Sequence, residues 1–447
     1  MIPGEILAVL VVVIPGVVNI TYRLGIKKAT IVGASADLVV AGLMYFLRPQ
    51  TGFFYIQDST MLFIIMVLSV YLLSAIYSTR YLKGIEVMGI REPTYYLLLN
   101  LFTASMLFSL EVNNYGLMWV GIEATTISSA LLLITEKSET SLEATWRYII
   151  IVSAGVTFAF ISIILIYYTL GTLSVSTAIG SHVHSRIMVL AVSLALIGFG
   201  TKVGVFPVHT WLPDAHSEAP SPVSAMFSGV LLPTALYVLY RVYEIEPVRG
   251  LYVWFAVVSI VAASIFMGYQ ARYKRMFAYS TMENMNLALL GIAVGGSLGF
   301  TGALLLLLSH SFGKAGAFYS SGNILRFTGK KEIAEINGMH TSMPYTSTSL
   351  LMSSLAVTGA PPFGTFFGEF LILSGVLSLH MYVQFIIVIV FLAAAFISMN
   401  YNVTGMIFNG NCPNIEKDRL MPALSIFSSV IPLFIGIFFL VVYNEIL

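Results

Sequence analysis

Seven side chains capable of proton chemistry fall inside long apolar stretches of this sequence: Asp37, Glu123, Lys202, Glu283, His310, Lys314 and Glu369. A charge at the centre of a bilayer costs roughly 2.5–3.5 kcal/mol on insertion scales, so such residues read as functional and in need of partners. Acids, amines and an imidazole at similar depth are what a chain of proton-exchanging groups requires. The alternative, open above all for Asp37, is a set of buried ion pairs that only hold helices together. His310 and Lys314 stand four apart, so on a helix both project from one face. Glu111, Arg147 and the Arg272–Arg275 group lie at the ends of apolar stretches, where interfacial anchoring accounts for them. His209, Asp214, His216 and Glu218 superficially resemble a metal site. Their spacing is loose and they flank Trp211 and Pro213, so a structural role is expected. His182 and His184 read as solvated loop residues.

These groups need a scaffold, and composition names the solvent. Of 447 residues, 58% are hydrophobic and 10% charged, against about 25% charged in soluble domains. Such a chain cannot cover itself with solvated groups, which excludes a soluble multidomain enzyme. Net charge is +1, with no basic patch for nucleic acid, and the single cysteine, Cys412, permits no internal disulfide and no Cys-based metal cluster. Spanning helices need about 20 mostly apolar residues. That rule predicts an all-α polytopic membrane domain over 1–447 with about fourteen spans: near 4–22, 29–47, 60–78, 95–111, 114–134, 147–169, 187–215, 220–241, 251–270, 277–295, 299–325, 345–377, 382–408 and 423–443. The first reads as a retained span, since MIPGE has no basic segment ahead of it and no small-residue cleavage site follows.

The positive-inside rule checks the count. With fourteen spans, sixteen of the 22 basic residues fall in loops on one side, here the basic face, and four on the other. The remaining two are Lys202 and Lys314, both within apolar spans. The asymmetry predicts a basic face turned inward and both termini on the outer side. Spans seven and twelve are too long and carry breakers: Gly198, Gly200, Gly204 and Pro207 in one, Gly359 to Gly364 with Pro361 and Pro362 in the other. Proline deletes a backbone donor and frees carbonyls inside the membrane. Broken helices in corresponding places suggest an ion pathway and an inverted repeat. The predicted units are spans 4–8 (95–241) and spans 9–13 (251–408), with Pro207 and Pro361 as matching breaks.

Four runs then carry a resemblance: GFGTKVGVFPVHTWLPDAHSEAPSPVSAMFSGVLLPTALYVLYR at 198–241, AYSTMEN at 278–284, SHSFGKAGAFYSSGNIL at 309–325 and VTGAPPFGTFFGEFLIL at 357–373. Together they resemble the antiporter-like subunits of respiratory complex I, membrane-bound hydrogenases and Mrp cation/proton antiporters, most closely the hydrogenase-4 component F type. The resemblance implies that Glu123 occupies the place of the fifth-helix glutamate and Lys202 that of the seventh-helix lysine with which it pairs. It implies that His310 and Lys314 match the central pair, that Glu369 is the twelfth-helix exit residue, and that Glu283 is the hydrogenase branch's own glutamate. Many relatives carry a lysine in span eight within GVLLK; here the run is GVLLP, with Pro233 and, earlier, Ser228.

The expected function is translocation of an ion, H⁺ before Na⁺, within a redox-driven complex. Two alternatives are an Mrp-type antiporter subunit working without electron transfer, and a structural subunit whose channel is impaired at Pro233. The chain shows no haem pair, no cysteine cluster and no dinucleotide-binding glycine motif. No cofactor of its own is therefore expected, and electron transfer is assigned to a peripheral redox arm. Other antiporter-like and small helical membrane subunits are the implied partners. Ending at Leu447 just after the last span, the sequence predicts no long lateral helix of the component L type.

Overall fold

A computed structural model describes residues 3–23, 25–49, 52–85, 88–181, 183–410, 416 and 418–446. Cys412, His182 and Lys417 lie outside the described residues. In chain order the α-helices are α1 Pro3–Val18, α2 Ile26–Leu47, α3 Asp58–Tyr81, α4 Glu92–Glu111, α5 Tyr115–Leu133, α6 Glu139–Leu170, α7 Val175–Ile179, α8 Arg186–Val203, α9 Trp211–Glu218, α10 Ser221–Met226, α11 Leu232–Tyr243, α12 Arg249–Gly268, α13 Tyr273–Val294, α14 Gly296–Thr328, α15 Met339–Ser342, α16 Pro344–Val357, α17 Gly364–Ser378, α18 Tyr382–Phe408 and α19 Leu420–Ile446. Among the described residues there are isolated bridges but no strand. Polar residues place the helix ends. Ser138 and Ser141 form a capping box that starts α6, and Gly171 in the left-handed region stops it.

Eleven helical stretches among the described residues are long and apolar enough to cross a membrane. The other three expected spans correspond to α4, to α13 and to the α16–α17 pair. Helix α13 carries Lys274, Glu283, Asn284 and Asn286, and every residue from Tyr273 to Val294 except Arg275, near its first turn, is buried. A helix with no lipid-facing side has no need to be apolar, which is why its hydropathy is low. By contrast α18 turns Ile386, Val390 and Ile397 outward.

Helix α14, which carries His310 and Lys314, is the hub. It packs against α3, α10, α13, α16, α17 and α19. Both predicted breaks are present and alike in detail. Gly204 (φ +89°) and Gly359 (φ +69°) adopt the left-handed region, and the Phe206–Pro207 and Pro361–Pro362 bonds are both cis. Val205 N–H donates to the Gly200 carbonyl at 2.9 Å, and Ala360 N–H to that of Leu355 at 3.0 Å. The freed carbonyl of Thr201 accepts from Trp211 Nε1 at 2.8 Å, and that of Ala356 accepts from the Thr365 hydroxyl. Gly204 and Gly359, Val205 and Ala360, Thr201 and Ala356, and Pro207 and Pro362 all stand 155 positions apart. The break therefore aligns Pro207 with Pro362 and not with Pro361, because local backbone geometry, and not the first proline met, defines the register.

Span eight bends for a different reason. Pro233 has no N–H, so the Gly229 carbonyl loses its α-helical donor, and Phe227–Leu231 widens into a π turn. Ser311 Oγ of α14 donates to that carbonyl at 2.5 Å. Gly229 permits the approach: a Cβ there would lie 2.9 Å from the Ser311 carbonyl oxygen.

Candidate functional site

Helix α5 begins where the Asn114 side chain accepts from the Leu117 N–H, which sets the phase of its polar face. Glu123 and Thr126 follow on one side of it, three residues apart. Lys202 occupies the last turn of α8, just before the break, and is completely buried. Its ammonium donates to Thr126 Oγ1 at 2.6 Å and to the Tyr148 hydroxyl of α6 at 3.2 Å. Thr126 Oγ1 in turn donates to Glu123 Oε2 at 3.5 Å, while Ser153 Oγ donates to Glu123 Oε1 at 3.1 Å. The expected lysine–glutamate pair is thus linked through one hydroxyl. Sequence reasoning missed Thr126, although its place one turn after Glu123 was the available signal.

The second basic centre lies in α14. Lys314 is fully buried and donates to the Phe277 carbonyl of α13 at 2.9 Å. The same carbonyl accepts from Thr281 Oγ1 at 3.0 Å, and Thr281 meets Ser228 Oγ of the π turn at 2.6 Å. Polar contacts therefore run from Lys314 to Ser228 in span eight, five residues before Pro233. Glu283 Oε2 accepts from Asn284 Nδ2 at 2.7 Å, and the same amide donates to the Val357 carbonyl, at the end of α16, at 2.9 Å. Glu283 lies within electrostatic reach of both Lys314 and Glu369. Glu369 folds back onto the twelfth-span break, so closely that a Cβ at Gly359 would overlap its carboxylate.

The structure adds His216. Asp214 pairs with Arg147 at 3.0 Å and Arg275 at 3.2 Å, and Glu218 with Arg272 at 2.9 Å, all at the basic face. Among the described residues no group of side chains suits a metal ion. His216 stands two residues from each acid, hence on the opposite side of the short helix α9. Its ring stacks on Phe318 of α14 at 5.1 Å and lies 5.8 Å from Phe227. Phe227 also contacts the Tyr148 ring, at 5.8 Å. His216 thus sits between the Lys202 and Lys314 regions, within electrostatic reach of Lys314 and His310. Both ring nitrogens of His216 are buried without a hydrogen-bond partner among the described residues, while the buried His310 ring faces the Ser228 backbone. Neighbouring acids masked the interior direction of His216 in the sequence. His209 differs: its ring is held between Phe206 at 5.5 Å and Phe266 at 5.8 Å.

Residues 112–398 match the family described as NADH:quinone oxidoreductase/Mrp antiporter, TM, which covers most of the chain. The chain belongs to this antiporter-like membrane family. A hydrogenase-4 component F homolog of Methylacidiphilum infernorum is 33% identical over 353 residues, 74% of this chain and 74% of that one. An NADH-quinone oxidoreductase subunit N of Desulforudis audaxviator is 30% identical over 68% of this chain but 63% of its own length. The fold is shared with a subunit of an archaeal membrane-bound sulfane sulfur reductase, at a TM-score of 0.90 and 21% identity over 99% of this chain and 96% of that one. It is likewise shared with a subunit of the Mrp complex from a Dietzia species, at 0.86 and 19% over 99% and 96%. Relatives in the antiporter-like family are membrane subunits of complex I, hydrogenase-4 and Mrp assemblies, consistent with ion translocation.

Proposed function

We propose that this antiporter-like subunit carries protons along Glu123, Lys202, Lys314 with His310, and Glu369, with Glu283 between the last two centres and His216 joining the two halves. The observation that carries the reading is the pair of fully buried lysines, each tied by hydrogen bonds to polar groups of neighbouring helices inside an apolar bundle. Two unit charges about 5–6 Å apart, with one hydroxyl between them, interact by about 3 kcal/mol at an effective dielectric near 20. Separating such a pair therefore changes a proton equilibrium by about two powers of ten. Because Glu123 and Lys202 meet through the Thr126 hydroxyl, a rotation of that hydroxyl and a small hinge motion at Gly204 change the coupling without moving a helix. The Ser228–Thr281 contact favours conduction past Pro233 over an impaired channel.

The same reading includes fourteen spans, inverted repeats at 95–241 and 251–408, and a cell membrane location with the basic face inward and both termini outside. The matched geometry of the two breaks supports the repeats. Partner membrane subunits and a peripheral redox arm complete the assembly, in which this chain moves the ion and others move electrons. The test is ion pumping by the assembled complex in proteoliposomes. Lys202→Ala and Glu123→Ala should each abolish pumping while leaving subunit composition unchanged. Normal pumping by both would show the assignment to be wrong. Co-purifying subunits separate a hydrogenase-like or complex I-like assembly from an Mrp-type one.

A further inference from the structure

Two carboxylates lie apart from this relay, in the first four helices, and take no part in it. Asp37 of α2 and Glu111 of α4 are both completely buried. All four of their carboxylate oxygens lack a hydrogen-bond partner among the described residues. For Glu111 this overturns the expectation of an interfacial anchor, since an anchor keeps its head group in the polar layer.

Helix geometry brings the two acids together. α2 and α4 run parallel from the basic face, where Lys27 and Glu92 pair at 2.9 Å near their first residues. One turn after Lys27 and just over two turns after Glu92, Asn100 Nδ2 of α4 donates to Thr30 Oγ1 of α2 at 3.1 Å, which fixes the register of the two helices. Asp37 follows Thr30 by two turns and Glu111 follows Asn100 by three, so each acid lies on the face that makes this contact. At 1.5 Å per residue they rise about 10 Å and about 16 Å above it, leaving about 6 Å between them in depth.

Polar groups lead up to them. Tyr71 of α3 donates to Asn100 Oδ1 at 2.6 Å, Asn100 also donates to Asn19 Oδ1 at 2.9 Å, and Tyr22 meets Thr94 at 3.0 Å nearer the basic face. Asp37 lies within electrostatic reach of Tyr71 and of Glu111. At the far end the Glu111 carbonyl accepts from Tyr55 N–H at 2.8 Å, and Glu5 of α1 lies against Gly52.

We propose that Asp37 and Glu111 form a second proton-binding station, within α1–α4 and separate from the Lys202–Lys314 line, approached from the basic face along Tyr22–Thr94, Thr30–Asn100 and Tyr71. Two ionised carboxylates this close and this dry repel each other, and among the described residues no cation of α1–α5 or α11 pairs with either, so at least one holds a proton. A purely structural acid would donate or accept a hydrogen bond, and among the described residues neither does. No third acid, histidine or cysteine joins them to make a metal site among the described residues.

The complex in lipid vesicles tests this by infrared difference spectroscopy between acid and alkaline buffer. A protonated-carboxyl band is expected, with one component lost in Asp37→Asn and another in Glu111→Gln, and both retained in Lys202→Ala. Should one variant fail to assemble, the other is read by the same criterion. In the wild type, dicyclohexylcarbodiimide should leave a covalent adduct on Asp37 or Glu111 that peptide mass spectrometry locates. A band unchanged by both substitutions, the absence of any adduct, or loss of the band on adding NaCl at constant pH overturns the proposal. The last result would make the site one for Na⁺. Normal pumping by Lys202→Ala would instead remove the relay and leave this station untouched.

Discussion

Thr126 is the smallest part of the proposed relay, and its chemistry is separable from its shape. Its hydroxyl accepts from the Lys202 ammonium and donates toward Glu123. Hydrogen bonds to charged groups contribute about 1.5–3 kcal/mol, so Thr126→Val, which keeps the branched shape, should slow pumping by about tenfold or more. Thr126→Ser should retain most of it. Proteoliposome pumping rates compared at equal complex content decide between them, and equal rates for Val and wild type would leave Thr126 no role in transfer. His216→Phe makes a parallel case, since it preserves the stack on Phe318 and removes both nitrogens. Pumping should fall at least tenfold with the complex intact, as judged by subunit composition on gel filtration.

Breaks and bends in helices place these residues, and their chemistry can be tested by stability. At Gly359 a methyl group meets two obstacles, the left-handed backbone and the Glu369 carboxylate. Gly359→Ala should lower stability by about 1–3 kcal/mol, read as a lower Tm of the purified complex. The π turn offers a sharper experiment. Ser311→Ala leaves the Gly229 carbonyl buried without the hydroxyl that Pro233 made necessary, at a cost of about 1–3 kcal/mol. Pro233→Ala supplies an N–H for that carbonyl, so Ser311→Ala should cost less in the Pro233→Ala background than in the wild type. Additive effects in the double-mutant cycle would mean that the hydroxyl and the proline are uncoupled.

Across the whole molecule, charge separates the two ends. The basic face gathers Arg147, Asp214, Arg272, Arg275, Glu218 and Lys331 into linked ion pairs. The opposite face holds Arg48 with Asp58, and His184 with Glu246 at 2.6 Å. Lys137 and Val183 are exposed at the basic and opposite faces respectively. In a Cys412→Ser background, a membrane-impermeant maleimide should label Val183→Cys in intact cells and Lys137→Cys only in inverted vesicles. The reverse pattern would invert the orientation.

The amino-acid sequence alone determined the solvent, the helical class, the two broken spans and the main titratable groups. Each of these depends on local composition: apolar runs demand lipid, proline breaks a helix wherever it stands, and a lysine amid leucines is conspicuous. Tertiary structure decided what those groups touch. Thr126 as the link between Glu123 and Lys202, Ser311 as the answer to Pro233, and the interior aim of His216 all depend on contacts between helices distant in sequence. Asp37 was visible from the start as a charge in the wrong solvent. That Glu111 shares its interior became legible only once the Thr30–Asn100 contact fixed the register of α2 against α4, because helical phase is local but register between helices is not.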